Sequence, residues 1–175
     1  MKIYMDISCF CLTNYRAGIQ RVIRELLRRL LRQDGLPIEL LRYDESFRTF
    51  HVLDSAAVQK WMDEDGGVLA ETANLGKVVI DDFVPGDIFF DLDAAWAATW
   101  RRSDLYPRLK DAGVKIVSYI YDIIPYTNPE VLHSGVVTNF LYYLGAVLEN
   151  SDIIMASTQS TLDEIAALQV KNRLR

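Results

Sequence analysis

The sequence predicts an α/β domain built on a doubly wound, mainly parallel sheet with helices on both faces. Segments typical of strands and of helices alternate along the 175 residues, as they do in parallel sheets with helical crossovers. The later strand candidates, 114–121 and 153–156, are almost entirely apolar, which indicates strands covered on both faces. With half of its residues hydrophobic, the chain is long enough for one Rossmann-like domain, 1–175, with its own core.

The predicted strands follow from short apolar runs between turn residues. They are 2–7, 38–43, 47–53, 77–80, 87–91, 114–121 and 153–156. Two segments are predicted to lack regular structure: 8–17 is a loop, and 63–82 mixes glycines with charges and is a mobile surface loop around one short strand. The strand at 153–156 is predicted to be buried.

A helix with one apolar stripe is predicted from Ile19 onward, and Gly35 and Pro37 end it. Its apolar residues recur at the spacing i, i+3, i+4, i+7. They are Ile19, Val22, Ile23, Leu26, Leu27, Leu30 and Leu31. The other predicted helices are 56–62, 103–112 with Gly113 as C-cap, 129–150, and a last helix opened by 157–161, where Thr161 with Glu164 or Ser160 with Asp163 fits a capping box.

Composition excludes several classes of protein. The net charge of −5 argues against non-specific nucleic-acid binding. Cys9 and Cys11 are the two cysteines, too few for a disulfide framework or a four-cysteine zinc site, so a reducing cytoplasmic setting is expected. Asp6 interrupts the apolar run that a signal peptide needs, and no apolar run reaches the roughly 18 residues of a membrane span.

The first candidate site is the turn before the helix at Ile19. Gly18 leaves backbone N–H groups open to an anion, the helix dipole favours negative charge there, and Arg16 and Arg21 flank the turn. Arginine can bind a phosphate or carboxylate with two parallel hydrogen bonds. A single glycine is not the dinucleotide fingerprint, which argues against a dehydrogenase. On spacing alone, a plain strand-to-helix turn remains the stronger interpretation.

The same helix has an arginine-rich face. Its members are Arg21, Arg24, Arg28, Arg29 and Arg32. Such a face can contact anionic lipid at a membrane surface. The alternative is a solvated face opposite the apolar stripe, and the Glu25–Arg29 spacing of i,i+4 favours that alternative.

Asp122 is the strongest single candidate for chemistry. It follows the apolar strand 114–121 and precedes Pro125, so it lies at the carboxyl end of a strand, where open α/β sheets bind their ligands. A carboxylate there can orient a sugar hydroxyl, act as a base, or only cap the next turn. The residues leave these alternatives open.

Further polar groups have weaker patterns. Asp91 and Asp93 share one face near Trp96, whose indole can stack on a sugar ring. The alternative is an acidic surface loop, and a metal is not favoured over hydrogen bonding.

Ser157 follows the last strand and can hold a phosphate or cap the last helix. The histidines, His51 and His133, are isolated in sequence, His133 within a mostly apolar helix, and no Gly-x-Ser-x-Gly elbow is present.

Four stretches, in order, resemble bacterial glycosyltransferases of family four. Residues 17–26, Ala-Gly-Ile-Gln-Arg-Val-Ile-Arg-Glu-Leu, resemble the family's (T)GIxRVxxEL start, and 86–96 resemble its GDxxxxLDxxW strand. Residues 121–130 are similar to YDxIPxxxPE. Residues 151–157 are similar to (A/S)DxIxxxS, with Ser157 one position earlier than the serine of that pattern. The family often has threonine where this chain has Ala17. The resemblance is to the mannosyl- and rhamnosyltransferase-like members of the family.

The resemblance implies one half of a GT-B fold, the N-terminal, acceptor-side domain. A C-terminal donor-binding domain, with its Glu-x7-Glu motif, would lie outside these residues, so this chain alone would be catalytically incomplete. The family implies a retaining hexosyltransferase that uses a nucleotide-sugar, needs no cofactor and no obligatory metal, and acts on a carbohydrate or lipid-linked acceptor. Surface polysaccharide or lipopolysaccharide assembly is its usual setting, in the cytoplasm or peripherally at the inner face of the membrane.

The resemblance also implies roles for residues. Asp122 would lie near the transferred sugar and the acceptor hydroxyl, while Gly18 and Arg21 would lie near the donor phosphates. Asp93 and Trp96 would shape the acceptor pocket. Ser157 would face the same cleft; no residue is assigned to a metal.

A non-catalytic ligand-binding or regulatory module of the same fold is the alternative function, because fold alone does not separate the two. Exposed apolar surface at the cleft or near the last helix would favour a half-enzyme. A polar, self-capped surface would favour the module.

Overall fold

The computed structural model describes residues 1–12, 18–33, 35–64, 68–98 and 100–172, and in this part of the chain seven strands form one sheet. They are β1 (Ile3–Asp6), β2 (Ile38–Asp44), β3 (Thr49–Leu53), β4 (Asn74–Val78), β5 (Ile88–Asp91), β6 (Lys115–Ile120) and β7 (Ile153–Ala156). The order across the sheet is β4-β3-β2-β1-β5-β6-β7. Five neighbouring strands run parallel: β2, β1, β5, β6 and β7. At one side of the sheet, β3 pairs antiparallel with β2, and β4 pairs antiparallel with β3.

Helices cover the two faces of the sheet, which confirms the predicted α/β class. They are α1 (Ser8–Leu12), α2 (Gly18–Leu30), α3 (Ser55–Asp63), α4 (Arg102–Asp111), α5 (Ile124–Thr127), α6 (Ser134–Asn150) and α7 (Gln159–Asn172). A hydrophobic core lies on each face of the sheet, and neighbouring residues of β1 belong to different cores. Tyr4 packs with residues of α4, α6 and α7, and Met5 packs with residues of α2 and α3. Successive strand residues point to opposite faces, so each strand contributes to both cores.

The stripe of α2 packs as its spacing predicts. Ile23 and Leu27 are fully buried, one turn apart on the face that contacts the sheet. Arg24 and Arg28 donate from the flank of that stripe to the carbonyl of Met62 in α3. Two members of the predicted arginine-rich face therefore attach one helix to the next.

Gly113 ends α4 as predicted. Its φ of +76° lies in the left-handed region that favours glycine. A Cβ at this position would also lie 3.0 Å from the Cβ of Pro85. Both the backbone conformation and the close approach therefore require glycine.

The structure corrects three of the predicted segments. Within the predicted loop 8–17, residues 8–12 form α1, and 13–17 lie outside the described residues. The short strand predicted at 77–80 within the loop 63–82 lies earlier, as β4 from Asn74 to Val78, paired with β3. The predicted helix 129–150 begins at Ser134, after a short 3-10 turn. His133 therefore lies outside the helix and caps it, with Nδ1 accepting from the N–H of Gly135 at 3.2 Å.

The start of the last helix also differs from the prediction. Thr158 is the capping residue, since its Oγ1 accepts from the N–H of Thr161 at 3.1 Å. The predicted capping boxes begin two or three residues too late.

Strand β7 is more exposed than predicted. Ile153 is 56% exposed and Met155 44% exposed, because in the described residues β7 is an edge strand. In the same part of the chain no helix is both long and apolar enough to cross a bilayer.

Candidate active site

Four parallel strands present polar residues at their carboxyl ends, on one edge of the sheet. Asp6 and Asp91 are the last residues of β1 and β5. Asp122 follows β6 by two residues, and Ser157 follows β7 directly. This edge is where doubly wound sheets bind ligands.

Asp122 is half-buried, and one of its oxygens accepts a hydrogen bond from the turn that follows it. Its Oδ1 accepts from the N–H of Ile124 at 3.0 Å, next to Pro125 in the first turn of α5. Its other oxygen has no hydrogen-bond partner among the described residues. The carboxylate therefore caps the turn and keeps an oxygen for another group.

Ser157 lies beside the strand that leads to Asp122. Its N–H donates to the carbonyl of Ile120 at 3.2 Å. Its hydroxyl is exposed and lies 3.4 Å from that of Tyr119. The structure thus brings the ends of β6 and β7 together.

Asp93 lies inside the protein, at 2% exposure. Its two oxygens accept from the N–H groups of Phe10 at 2.7 Å and Ala94 at 2.6 Å. Burial raises the pKa of Asp93 to about 7, the negative charges of Asp6 and Asp91 add to this, and the two hydrogen bonds oppose it. The carboxylate ties α1 to the segment after β5.

The alternative of an acidic surface loop at Asp91 and Asp93 is wrong, since Asp91 is fully buried as well. Asp91 binds Arg102, a residue that the sequence patterns did not single out. Arg102 Nε lies 2.5 Å from Asp91 Oδ2, and its Nη2 lies 2.6 Å from Asp6 Oδ2. The hydroxyl of Tyr106 also donates to Asp91, at 2.6 Å.

Trp96 lines a cavity of about 290 Å³ between the segment after β5 and helices α4 and α6. Its indole packs edge-on against Phe140, with 5.6 Å between ring centroids. The exposed polar and aromatic lining comprises Arg101, Ser103, Asn139 and Tyr142. Fixed ring faces beside hydroxyl, amide and guanidinium groups form the kind of surface that suits a polar ring such as a sugar.

One buried polar atom at this cavity lacks a partner. Tyr143 lines the cavity and is 3% exposed, and its hydroxyl has no hydrogen-bond partner among the described residues. Nearby, the hydroxyl of Tyr121 donates to the carbonyl of Leu92 at 2.7 Å. That bond joins the end of β6 to the segment that holds Asp93 and Trp96.

Gly18 and Arg21 lie in the first turn of α2. Both are exposed, and a Cβ added to Gly18 would meet no heavy atom within 4 Å. Packing therefore does not require glycine at this position. Arg16, the other arginine predicted to flank the turn, lies outside the described residues.

Several of the remaining charged groups of the sequence patterns have structural partners. Arg29 pairs with Glu25 at 2.8 Å, as its i,i+4 spacing predicts. Arg28 pairs with Asp63 at 2.7 Å. His51 lies 3.0 Å from Asp44 across the β2–β3 hairpin, so it is not isolated in space. In the described residues no group of three or more His, Cys, Asp and Glu side chains has an arrangement that would hold a metal ion.

Comparison with known proteins gives one distant relationship. No protein-family model matches the chain. Two Escherichia coli proteins, each described as serotype-specific mannosyltransferase WbdA, are 22% identical over 187 aligned positions, covering 98% of this chain and 20% and 19% of the relatives. The chain thus spans about a fifth of the length of the curated relatives it matches. The match supports a distant relationship to glycosyltransferases.

Proposed function

We propose that this chain is the acceptor-side domain of a retaining, nucleotide-sugar-dependent glycosyltransferase with GT-B architecture. The observation that supports it most is the similarity to a mannosyltransferase over 98% of the chain. The motif residues Asp122, Trp96 and Ser157 lie on or next to the carboxyl edge of one parallel sheet, which fits a cleft facing a second domain. The proposed setting is surface polysaccharide or lipopolysaccharide assembly.

The proposed reaction forms a bond from an acceptor hydroxyl oxygen to the anomeric carbon of the donor sugar. The bond from that carbon to the nucleotide diphosphate breaks, and the diphosphate leaves with the bonding electrons. The open oxygen of Asp122 orients the acceptor hydroxyl beside that carbon and accepts its proton as the new bond forms. Arg21 and the N–H groups of the first turn of α2 stabilise the negative charge of the leaving diphosphate, and no metal is required.

The acceptor occupies the cavity beside Trp96 in this proposal. Trp96 and Tyr142 provide faces for a sugar ring, and Asn139 and Ser103 provide hydrogen bonds to its hydroxyls. Asp93 does not contact the acceptor directly. It positions the segment that leads to Trp96 through its bonds to Phe10 and Ala94.

A donor-binding domain completes the enzyme in this proposal. Ile153 and Met155 are exposed apolar residues of β7, the strand at one side of the sheet. Their exposure supports a further protein surface packed against β7, rather than a module whose own polar surface is complete. The full enzyme is expected to contain a Glu-x7-Glu pair in that domain. Arg32, just after α2, is exposed, and no protein partner is found for it among the described residues. It is therefore the arginine of this segment available for peripheral contact with an anionic membrane.

The test is a transfer assay on the full-length gene product. Purified protein is incubated with nucleotide-sugars and a short mannose-containing acceptor, with and without a metal chelator, and the product is analysed by NMR for its anomeric configuration. Transfer with retention that survives the chelator supports the proposal. Binding of sugar without transfer by any donor would support a non-catalytic module instead.

A further inference from the structure

A second, larger cavity lies at the carboxyl end of β2. It has a volume of about 700 Å³ and lies between the β2–β3 turn and the beginning of α4. Three arginines, Arg48, Arg101 and Arg108, line it together with the rings of Tyr43 and Trp100. No sequence motif and no residue of the proposed transfer chemistry points to this cavity.

The three arginines have no ion-pair partner. Within the described residues, none lies within 4.0 Å of a carboxylate oxygen, although Glu45 and Asp104 also line the cavity. The lining therefore has three positive and two negative groups, and the positive ones are free to bind. Guanidinium groups bind phosphate oxygens through two parallel hydrogen bonds.

Arg48 occupies a backbone position that disfavours arginine. Its φ is 49°, and it is the non-glycine residue with positive φ in the described chain. It is the last residue of the turn, directly before β3. Glycine or asparagine adopts this conformation at lower cost, and such strained positions concentrate at ligand sites.

The aromatic wall is rigid and partly open. The Trp100 ring stacks on Phe50, with centroids 5.6 Å apart and planes 26° apart, and lies 4.9 Å from Tyr43. The guanidinium of Arg108 lies 5.8 Å from the centre of the Trp100 ring. Trp100 and Tyr43 are half-exposed, so ring surface remains available to a ligand next to a cation.

We propose that this cavity binds a small ligand in which a phosphate or diphosphate group adjoins a ring. Arg48 and Arg108 bind the anionic group, and Trp100 and Tyr43 contact the ring. Arg101 lies between this cavity and the one beside Trp96, since it lines both. The chemistry fits a nucleotide or a sugar phosphate, and it does not depend on the transfer reaction proposed above.

The test is a calorimetric titration of the 175-residue chain at low salt with pyrophosphate, a nucleoside diphosphate and a hexose 1-phosphate. Saturable binding is expected, with a Kd increased about tenfold in Arg108→Gln by the loss of a charged hydrogen-bond donor. Arg32→Gln is the matched control, because it removes the same charge from an exposed site outside the cavity and should leave the Kd unchanged. The ligand that binds most tightly distinguishes the nucleotide from the sugar phosphate.

Arg48→Gly provides a second test, in which stability and ligand binding should change in opposite directions. A purely structural role of Arg48 would not give that result. Glycine relieves the positive φ, so the melting temperature should rise by a few degrees, while pyrophosphate binding weakens about tenfold. The proposal is overturned if Arg48→Gly binds pyrophosphate like the wild type, or if Arg32→Gln weakens binding as much as Arg108→Gln. Lack of saturation up to about 10 mM would overturn it as well.

Discussion

Carboxylates at one edge of the sheet have two opposite environments. Asp6 and Asp91, at the ends of β1 and β5, are 1% and 0% exposed and share the buried guanidinium of Arg102. Asp122, two residues after β6, is half-buried, and one of its oxygens has no partner among the residues that the structure describes. The residue types and strand positions are alike, but the surroundings differ.

This difference in burial separates structural carboxylates from the carboxylate of the candidate site. A buried carboxylate needs a paired charge and hydrogen bonds, because removal from water is costly. Arg102 supplies the charge to both Asp6 and Asp91. Tyr106 adds a donor to Asp91 and Ser8 adds donors to Asp6, so both oxygens of each carboxylate already accept hydrogen bonds inside the protein. Asp122 avoids most of that cost by remaining near solvent, and its free oxygen is available for chemistry.

Arg102→Met should give the largest loss of stability. It leaves Asp6 and Asp91 buried without their cation, which is expected to lower the free energy of unfolding by about 3–5 kcal/mol. Urea unfolding followed by circular dichroism measures the loss. Arg101→Met, at the exposed neighbouring position, is the control and should change the free energy by about 0.5 kcal/mol or less. Equal effects of the two variants would contradict the scaffold role of Arg102.

Asp93 should make stability depend on pH. Its pKa is about 7 in the folded protein and about 3.9 in an unfolded chain, so between these values the folded state binds the extra proton. The contribution of Asp93 to stability is therefore fully present below pH 4 and falls by about 1.4 kcal/mol per pH unit up to pH 7. Above pH 7 it is constant.

Asp93→Asn removes this titration while keeping one acceptor oxygen for Phe10 or Ala94. The stability difference between wild type and variant should thus shift in favour of the variant as pH rises from 4.5 to 7.5. Urea unfolding at both pH values measures it. A difference that does not change with pH would show that Asp93 is ionised throughout, stabilised by its two hydrogen bonds.

The sequence predicts the fold well where local patterns decide it. The stripe of α2, the apolar run of β6 and the glycine after α4 each depend on spacing or backbone conformation within a few residues. Helix α1 was not predicted, and the strand predicted at 77–80 lies three residues earlier, as β4 from Asn74 to Val78. Both elements depend on distant segments, because α1 packs against β2 and β4 pairs with β3 more than 20 residues away. The exposed face of β7 was missed because apolar composition does not show which edge of the sheet lacks a cover.

The candidate site is harder to predict, since it depends on which side chains meet. Asp91, Asp93 and Asp122 each lie at or just after a predicted strand end, and the sequence does not show which of them is buried. In the fold, Arg102 pairs with Asp91, and Asp93 accepts from two backbone N–H groups. Asp122 stays near solvent. Arg48 gives one local signal, an arginine at the end of a hairpin turn where glycine is common. Its meaning depends on Arg108, which the fold brings to the same cavity.

Asp122→Asn tests the role of the carboxylate that remains near solvent. In the full-length enzyme, turnover should fall by a factor of tens or more, because the amide cannot accept a proton or orient a hydroxyl as a carboxylate does. The bond to the N–H of Ile124 can persist, so stability should change little. Asp81→Asn, at an exposed position in another part of the chain, is the control. A wild-type rate in Asp122→Asn would remove this residue from the site.

Arg21→Ala should have the smallest effect, confined to the donor. Arg21 is exposed on the first turn of α2 and makes no ion pair among the described residues, so its removal should leave unfolding unchanged. In the full enzyme, loss of one charged contact to the donor diphosphate should lower kcat/KM for the nucleotide-sugar about tenfold, without changing KM for the acceptor. Arg29→Ala, whose side chain pairs with Glu25 on the same helix, is the matched control. Unchanged donor kinetics in Arg21→Ala would reduce the Gly18 turn to a structural connection, and Asp122 would then be the remaining charged candidate at the carboxyl edge.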